Sequence, residues 1–176
     1  MKKLILTLST VLAFSFFTKA QNVIFNDANL KQHIVLHGQS AVGAVSGPNI
    51  SIIDTDNNGE ISIVEAQAYT GRLYLNQNGS NFYTDLTGVE EFTAITELFC
   101  ENNQMTSLSV SAHPNLTTLY CQNNQISSLN LSNNTNLTYL YCDENQLSNL
   151  DVANNTNLTT LYCTNNQLSS LDVSNN

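Results

Sequence analysis

From Ile95 onward, apolar and polar positions recur with a period of twenty-one residues. Ile95 to Asn115 reads ITELFCENNQMTSLSVSAHPN, Leu116 to Asn136 reads LTTLYCQNNQISSLNLSNNTN, and Leu137 to Asn157 reads LTYLYCDENQLSNLDVANNTN. Leu158 to Asn176 repeats the pattern and stops two residues short. In the second copy Leu119 and Cys121 alternate with Thr118 and Tyr120, the period-two signature of a strand. Leu119 and Cys121 are expected to point inward, with Ile126, Leu129 and Leu131 completing the core. Leu129 and Leu131 predict a second short extended segment on the far side. No stretch is long or periodic enough for a helix there. A unit this short cannot enclose a core, so copies must stack into a solenoid. Its long open surface points to binding rather than catalysis.

The segment from Gln21 to Ala94 does not repeat and is expected to cap the solenoid. Asn26 to His37 predicts a helix that Asp27 can cap, with Leu30, Ile34 and His37 on one face near Val23 or Phe25. Gly38 to Pro48 reads as a loop. Leu73 and Leu75 predict the first strand, and Leu86, Val89, Phe92 and Ile95 lead into the repeats. Leu73 precedes Leu98 by twenty-five positions, so this first coil carries an insertion.

The pattern L-x-x-L-x-C-x-x-N-x-L-x-x-L-x-V over Ile95 to Asn176 resembles the leucine-rich repeat. Cysteine in place of leucine and the short unit look like the surface leucine-rich repeat proteins of Bacteroidetes-type bacteria, loosely similar to internalins. The resemblance implies a solenoid of short parallel strands without convex helices. It also implies a function in adhesion or protein recognition.

Met1 to Ala20 reads as a secretion signal: Lys2 and Lys3, an apolar run from Leu4 to Phe17, then Thr18-Lys19-Ala20. The run is too short to span a bilayer. The expected organisation is a signal peptide over 1–20, a cap over 21–94 and repeats over 95–176, three complete and the fourth truncated. Solenoids need terminal caps, so the truncated copy predicts that the chain is a fragment. Losing Lys2, Lys3 and Lys19 takes the net charge from -9 to about −12 and leaves Lys31 and Arg72 as the basic residues. Such a chain repels phosphate backbones and acidic membrane surfaces, and attracts cations. The expected location is secreted or on the cell surface, with no membrane insertion once the signal is removed.

Asn103, Asn124, Asn145 and Asn166 follow each strand at one repeated position. They predict a buried ladder that satisfies the backbone where the chain bends. Cys100, Cys121, Cys142 and Cys163 could form two disulfides, a zinc site or a row of buried thiols. Equal spacing favours the row. Adjacent parallel strands hold like side chains about 4.8 Å apart. Disulfides want Cβ atoms facing each other near 3.8 Å, and zinc wants four ligands around one point.

Asp54 to Glu65 matches the twelve-residue EF-hand loop at its key positions. Asp54, Asp56 and Asn58 offer side-chain oxygens, Gly59 the turn, Glu60 its carbonyl, Ser62 a direct or water-mediated contact and Glu65 two carboxylate oxygens. The expected cofactor is one calcium ion holding the cap together. No helix is expected to enter the loop, because Asn49 to Ile53 reads as extended. Ile63 to Tyr69 can be the exiting helix. The alternative is a metal-free Asx-rich turn.

Enzyme motifs are absent. His33 and His37 lack the glutamate of HExxH and a third ligand, His113 lies far away in a turn, and Glu90 and Glu91 are adjacent rather than facing. The candidate binding residues are Phe99, Tyr120, Tyr141 and Tyr162, one per strand on the concave face, with Tyr139. Glu97, Thr118 and Thr160 flank them on one side, and Glu101, Gln122, Asp143 and Thr164 on the other. An aromatic row with polar edges suits a protein or a sugar ring. It also suits an aromatic ladder that only stiffens the sheet. The expected partner is a protein or cell-surface glycan, not nucleic acid. The alternative is a non-catalytic appendage of a larger secreted enzyme.

Overall fold

The computed structural model describes residues 21–39, 53–76 and 82–176. The predicted secretion signal and most of the predicted loop before the acidic motif lie outside these residues.

Five three-residue strands form one parallel sheet in chain order: β1 (Arg72–Tyr74), β2 (Glu97–Phe99), β3 (Thr118–Tyr120), β4 (Tyr139–Tyr141) and β5 (Thr160–Tyr162). The register pairs each central leucine with the next: Leu73, Leu98, Leu119, Leu140 and Leu161. The chain is therefore a β-solenoid with one short strand per turn. Leu116, Leu119, Cys121, Ile126, Leu129 and Leu131 are all buried, as the period-two pattern requires. No helix forms on the far side of the repeats, and Leu129 and Leu131 pack inward without building a second sheet among the described residues. The predicted far-side extended segment is thus packed chain rather than paired strand.

The asparagine ladder is present and complete. Asn103, Asn124, Asn145 and Asn166 each share Nδ2–H donors among three carbonyls. One lies a full coil earlier: Leu75, Cys100, Cys121 and Cys142, at 2.9, 3.1, 3.0 and 3.0 Å. Each Oδ1 accepts from a backbone N–H of the preceding coil: Tyr83, Met105, Ile126 and Leu147. One side chain thus closes its own bend and staples it to the previous coil. Just before each ladder residue the backbone turns through positive φ at Asn102, Asn123, Glu144 and Asn165. Asparagine tolerates this conformation best, which accounts for three of the four.

A second ladder crosses the far side. Nδ2 of Asn134 donates to the carbonyls of Val110 and His113, both at 2.9 Å, and Asn155 and Asn176 repeat the arrangement. One coil earlier the rung is His113, fully buried, with Nε2 at 3.1 Å from the carbonyl of Val89. One coil earlier again it is Phe92. The backbone bonds Phe92 N–H to Val89 and His113 N–H to Val110 show that these residues hold equivalent places.

The non-repeating segment packs against β1, where Nε2 of His33 meets the Tyr74 carbonyl. Helix α1 (Ala28–Gln39) starts two residues later and ends two later than the sequence predicts, so Gly38 belongs to it. Asp27 sets the start, its Oδ1 accepting from the N–H groups of Asn29 and Leu30. The side chain of His37 lies outside the described residues. Helix α2 (Ile63–Ala68) begins at a capping box in which Ser62 and Glu65 satisfy each other's backbone N–H. The segment at Val23 pairs with Ile61 and Ile63. Gly88, at φ 101, lets a short 3-10 helix (Val89–Glu91) press against it, where a Cβ would lie 2.7 Å from the Ile24 carbonyl oxygen and from the Phe25 ring.

Candidate functional site

Strand alternation puts one aromatic side chain per coil on the outward sheet face, in register. Tyr74, Phe99, Tyr120, Tyr141 and Tyr162 form a single stack, with centroid separations of 4.6, 4.9, 4.2 and 4.8 Å. Their planes lie within 28° of parallel. Sheet spacing imposes these distances, and they match offset ring stacking. Tyr74 is the stack member that the repeat pattern does not reveal, because the insertion that follows it breaks the period. Tyr139 sits on the next row outward, exposed, between Thr118 and Thr160. That row begins with Arg72, whose Nε lies 3.1 Å from Glu97.

On the other flank run Asn76, Glu101, Gln122, Asp143 and Thr164. Asn76 donates to Oε1 of Glu101 at 3.0 Å. Oε2 of Glu101 and Oε1 of Gln122 are shut from solvent and receive no hydrogen bond. Burial pushes the Glu101 carboxyl above its ordinary range despite that bond. Tyr120 is raised to about 12, first by burial, then by its hydrogen bond with Tyr141, and by Glu101 and Glu97. Its phenol stays protonated at any physiological pH.

Behind the sheet the four cysteines are free, Cys100, Cys121 and Cys142 buried and Cys163 partly so. Burial pushes all four thiols up, Cys142 to about 12. The three buried thiols are therefore placed as small hydrophobes rather than nucleophiles.

The acidic loop forms a second candidate site. Asp54, Asp56 and Glu65 bring carboxylate oxygens within 4.8 Å of one another. Oxygens about 2.4 Å from one calcium ion can lie no more than about 4.8 Å apart, so the spacing fits that cation. Asp54 is fully buried and accepts from the N–H groups of Asn58 and Gly59 at 3.2 and 3.0 Å. Positive φ at Asn57 and Gly59, 58° and 81°, makes that close turn. Thr55 and Ser62 grip Glu65, each through a backbone N–H and a hydroxyl, at 2.7 to 2.9 Å. Burial would raise the Glu65 carboxyl, but these bonds outweigh it and hold it below the usual range. The other two predicted side chains point elsewhere. Asn58 donates to Asp56 and accepts from Glu60 N–H, and the Ser62 hydroxyl serves the capping box. The Glu60 carboxylate pairs with Lys31 at 2.8 Å, tying the loop to α1.

The candidate enzyme residues have structural roles. Nε2 of His33 lies 2.9 Å from the Tyr74 carbonyl, so this histidine docks α1 on β1. His113 is a ladder rung. Glu90 is exposed and accepts from the Gly88 N–H.

Residues 93–134 and 135–176 each match the family described as Leucine Rich repeats (2 copies). The coils over residues 93–176 are thus similar to leucine-rich repeats. No curated protein sequence matches the chain. Among solved structures, the functional domain of InlJ from Listeria monocytogenes, described as including a cysteine ladder, is similar at 39% identity and a TM-score of 0.61. The match covers 66% of this chain and 25% of that one. An internalin, InlF, from the same organism shares the fold at 24% identity and a TM-score of 0.60, covering 92% of this chain and 50% of that one. The chain thus spans a quarter of the length of the first of these structures and half of the second. The thiol row inside these leucine-rich repeats parallels the ladder described for InlJ. Among the described residues no helix is long and apolar enough to cross a membrane.

Proposed function

We propose that this leucine-rich repeat protein is an exported or cell-surface recognition module. Its outward sheet face binds a protein or a cell-surface glycan. The observation that carries the reading is the five-ring stack, which places edges and hydroxyls in one row between two polar rows. A row of this size outside the core suits a partner-facing surface. The protein acts by binding, not by catalysis, either alone or as the binding appendage of a larger secreted enzyme. The test is binding of the full chain to immobilised cell-surface proteins and glycans. Tyr120→Ala with Tyr141→Ala should abolish the interaction while circular dichroism shows the fold retained. Full-strength binding by a folded double variant would move the partner to another surface.

The second part of the proposal is that Asp54, Asp56 and Glu65 hold a structural calcium ion, with Asn58, Ser62 and the Glu60 carbonyl completing its shell. The support is three mutually repelling carboxylates gathered in a loop of the right length. At roughly ten times a dissociation constant of 0.1–1 mM, the ion would stabilise the chain by about 1.4 kcal/mol. Calorimetric titration with calcium should show one site, and Glu65→Ala should remove it. Identical heats for the two proteins would leave the loop as a metal-free turn.

A further inference from the structure

Asn58 and Gly59 form the exposed tip of the acidic loop, and among the described residues they are the one Asn–Gly pair. Asn58 Oδ1 accepts from the Glu60 N–H at 2.8 Å, and Asn58 Nδ2 donates to Oδ2 of Asp56 at 2.7 Å. The N–H of Gly59, next along the chain, donates to Oδ2 of buried Asp54 at 3.0 Å. Nothing lies within 4 Å of the place a Cβ on Gly59 would take.

These are the groups an asparagine needs in order to react with its own backbone. Its side-chain carbonyl carbon can close a small ring with the amide nitrogen of the next residue. A side chain on that residue hinders the approach, and glycine has none. The amide nitrogen becomes a nucleophile only as its proton leaves, and Asp54 Oδ2 already holds that proton in a hydrogen bond. Negative charge develops on Oδ1 as the carbon is attacked, and the Glu60 N–H already points at that oxygen. Asp56 fixes the plane of the amide through Nδ2. Exposure lets water in and ammonia out.

We propose that the loop modifies itself, the Gly59 nitrogen attacking Asn58 Cγ and turning the asparagine into aspartate or isoaspartate. The bond from Gly59 N to Cγ forms, the Cγ–Nδ2 bond breaks, and Nδ2 leaves as ammonia. Asp54 passes the Gly59 proton to solvent, and solvent returns one to the leaving nitrogen. Water then opens the cyclic imide at either carbonyl. Opening at Cγ leaves an ordinary aspartate, and opening at the main-chain carbonyl routes the backbone through the side chain. No electrons are exchanged: one water is consumed and one ammonia released. The first product adds a carboxylate to those of Asp54, Asp56 and Glu65, and the second lengthens the backbone in the turn that Asp54 closes. The loop is thus a covalent record of the protein's age, whether or not it holds calcium.

Mass spectrometry of the full chain, incubated at neutral pH with a calcium chelator, tests this against a free peptide of residues 54–65. Conversion of Asn58 adds about 1 Da as the amide becomes a carboxyl. The folded chain should convert faster than the peptide by roughly ten-fold or more, since nothing in the peptide holds the base and the donor in place. Asp54→Asn keeps an oxygen for the Gly59 N–H but removes the base, and should slow the full chain to the peptide's rate. The same change in the peptide should leave its rate alone. A natural chain that converts no faster than the peptide would show that the hydrogen bonds restrain Asn58, and would overturn the proposal. An Asp54→Asn chain as fast as the natural one would overturn it too. If circular dichroism shows that this variant does not fold, the comparison of natural chain with peptide decides alone.

Discussion

The coils of residues 116–157 and the coil that runs from β1 to Ile95 follow one backbone plan with different side chains. In the regular coils, cysteine fills the second inward position and asparagine the far-side rung. In the first coil these places belong to Leu75 and Phe92. The difference follows from what lies one coil earlier. A rung asparagine donates to carbonyls of the preceding coil. Among the described residues, Phe92 has the cap on that side rather than another coil, and its ring meets Tyr69 edge-on at 6.2 Å. A buried amide there would lack acceptors, and burying one unpaired is costly. His113 sits at the seam and makes one of the two bonds an asparagine makes. Among the described residues the apolar rung thus stands where no coil precedes it, and the imidazole and amide rungs stand where one does.

The largest test of this comparison reverses it. Phe92→Asn should destabilise the protein by about 4 kcal/mol in urea unfolding, from a lost buried ring and unpaired polar groups. If the variant is as stable as the natural protein, the rung is not set by its neighbours. Next is Asn145→Ala, which removes the amide linking Cys121, Cys142, Asp143 and Ile126 and should cost about 3 kcal/mol. The same change at partly exposed Asn166 should cost visibly less, since water can replace its bonds.

The seam should be sensitive to pH. Burial lowers the His113 pKa below its ordinary 6.5, against smaller opposing effects of the bonds to Val89 and Val110 and of Glu90. Burial outweighs those effects, so the folded state favours the neutral ring. The unfolded chain then takes up the proton first. Stability from this site is complete above about pH 6.5 and falls as pH drops below it. His113→Asn should remove that part of the pH dependence and add a rung bond of about 1 kcal/mol at acid pH. An unchanged pH profile in the variant would clear His113 of the role.

The repeats were legible in the sequence because each constraint occurs four times at one spacing. Cys100 and its three successors, and Asn103 and its three, declare their roles by recurrence. The second ladder was harder to see. Its first places hold Phe92 and His113, and the asparagines at 134, 155 and 176 lie in turns already rich in asparagine. Tyr74 was hidden by the insertion between β1 and β2, which shifts the spacing from twenty-one to twenty-five. The acidic loop declared its carboxylates by pattern. Side-chain direction lies beyond what a pattern records, so the turn of Asn58 toward Asp56 and of Ser62 into the capping box came only from the fold.

The stack is where the regular and irregular coils meet on equal terms, since Tyr74 joins it from the first coil. Whether that row serves a partner as well as the sheet can be settled without disturbing the rings. Tyr120→Phe with Tyr141→Phe keeps both rings stacked and deletes two hydroxyls from the exposed row. The decisive measurement is the affinity of this variant for any surface protein or glycan that the natural chain binds, taken alongside its urea unfolding midpoint. The account predicts a midpoint within about 0.5 kcal/mol of the natural protein and at least a ten-fold loss of affinity. Full affinity with an unchanged midpoint would show that the ring edges face no partner, and that the stack only holds the sheet together.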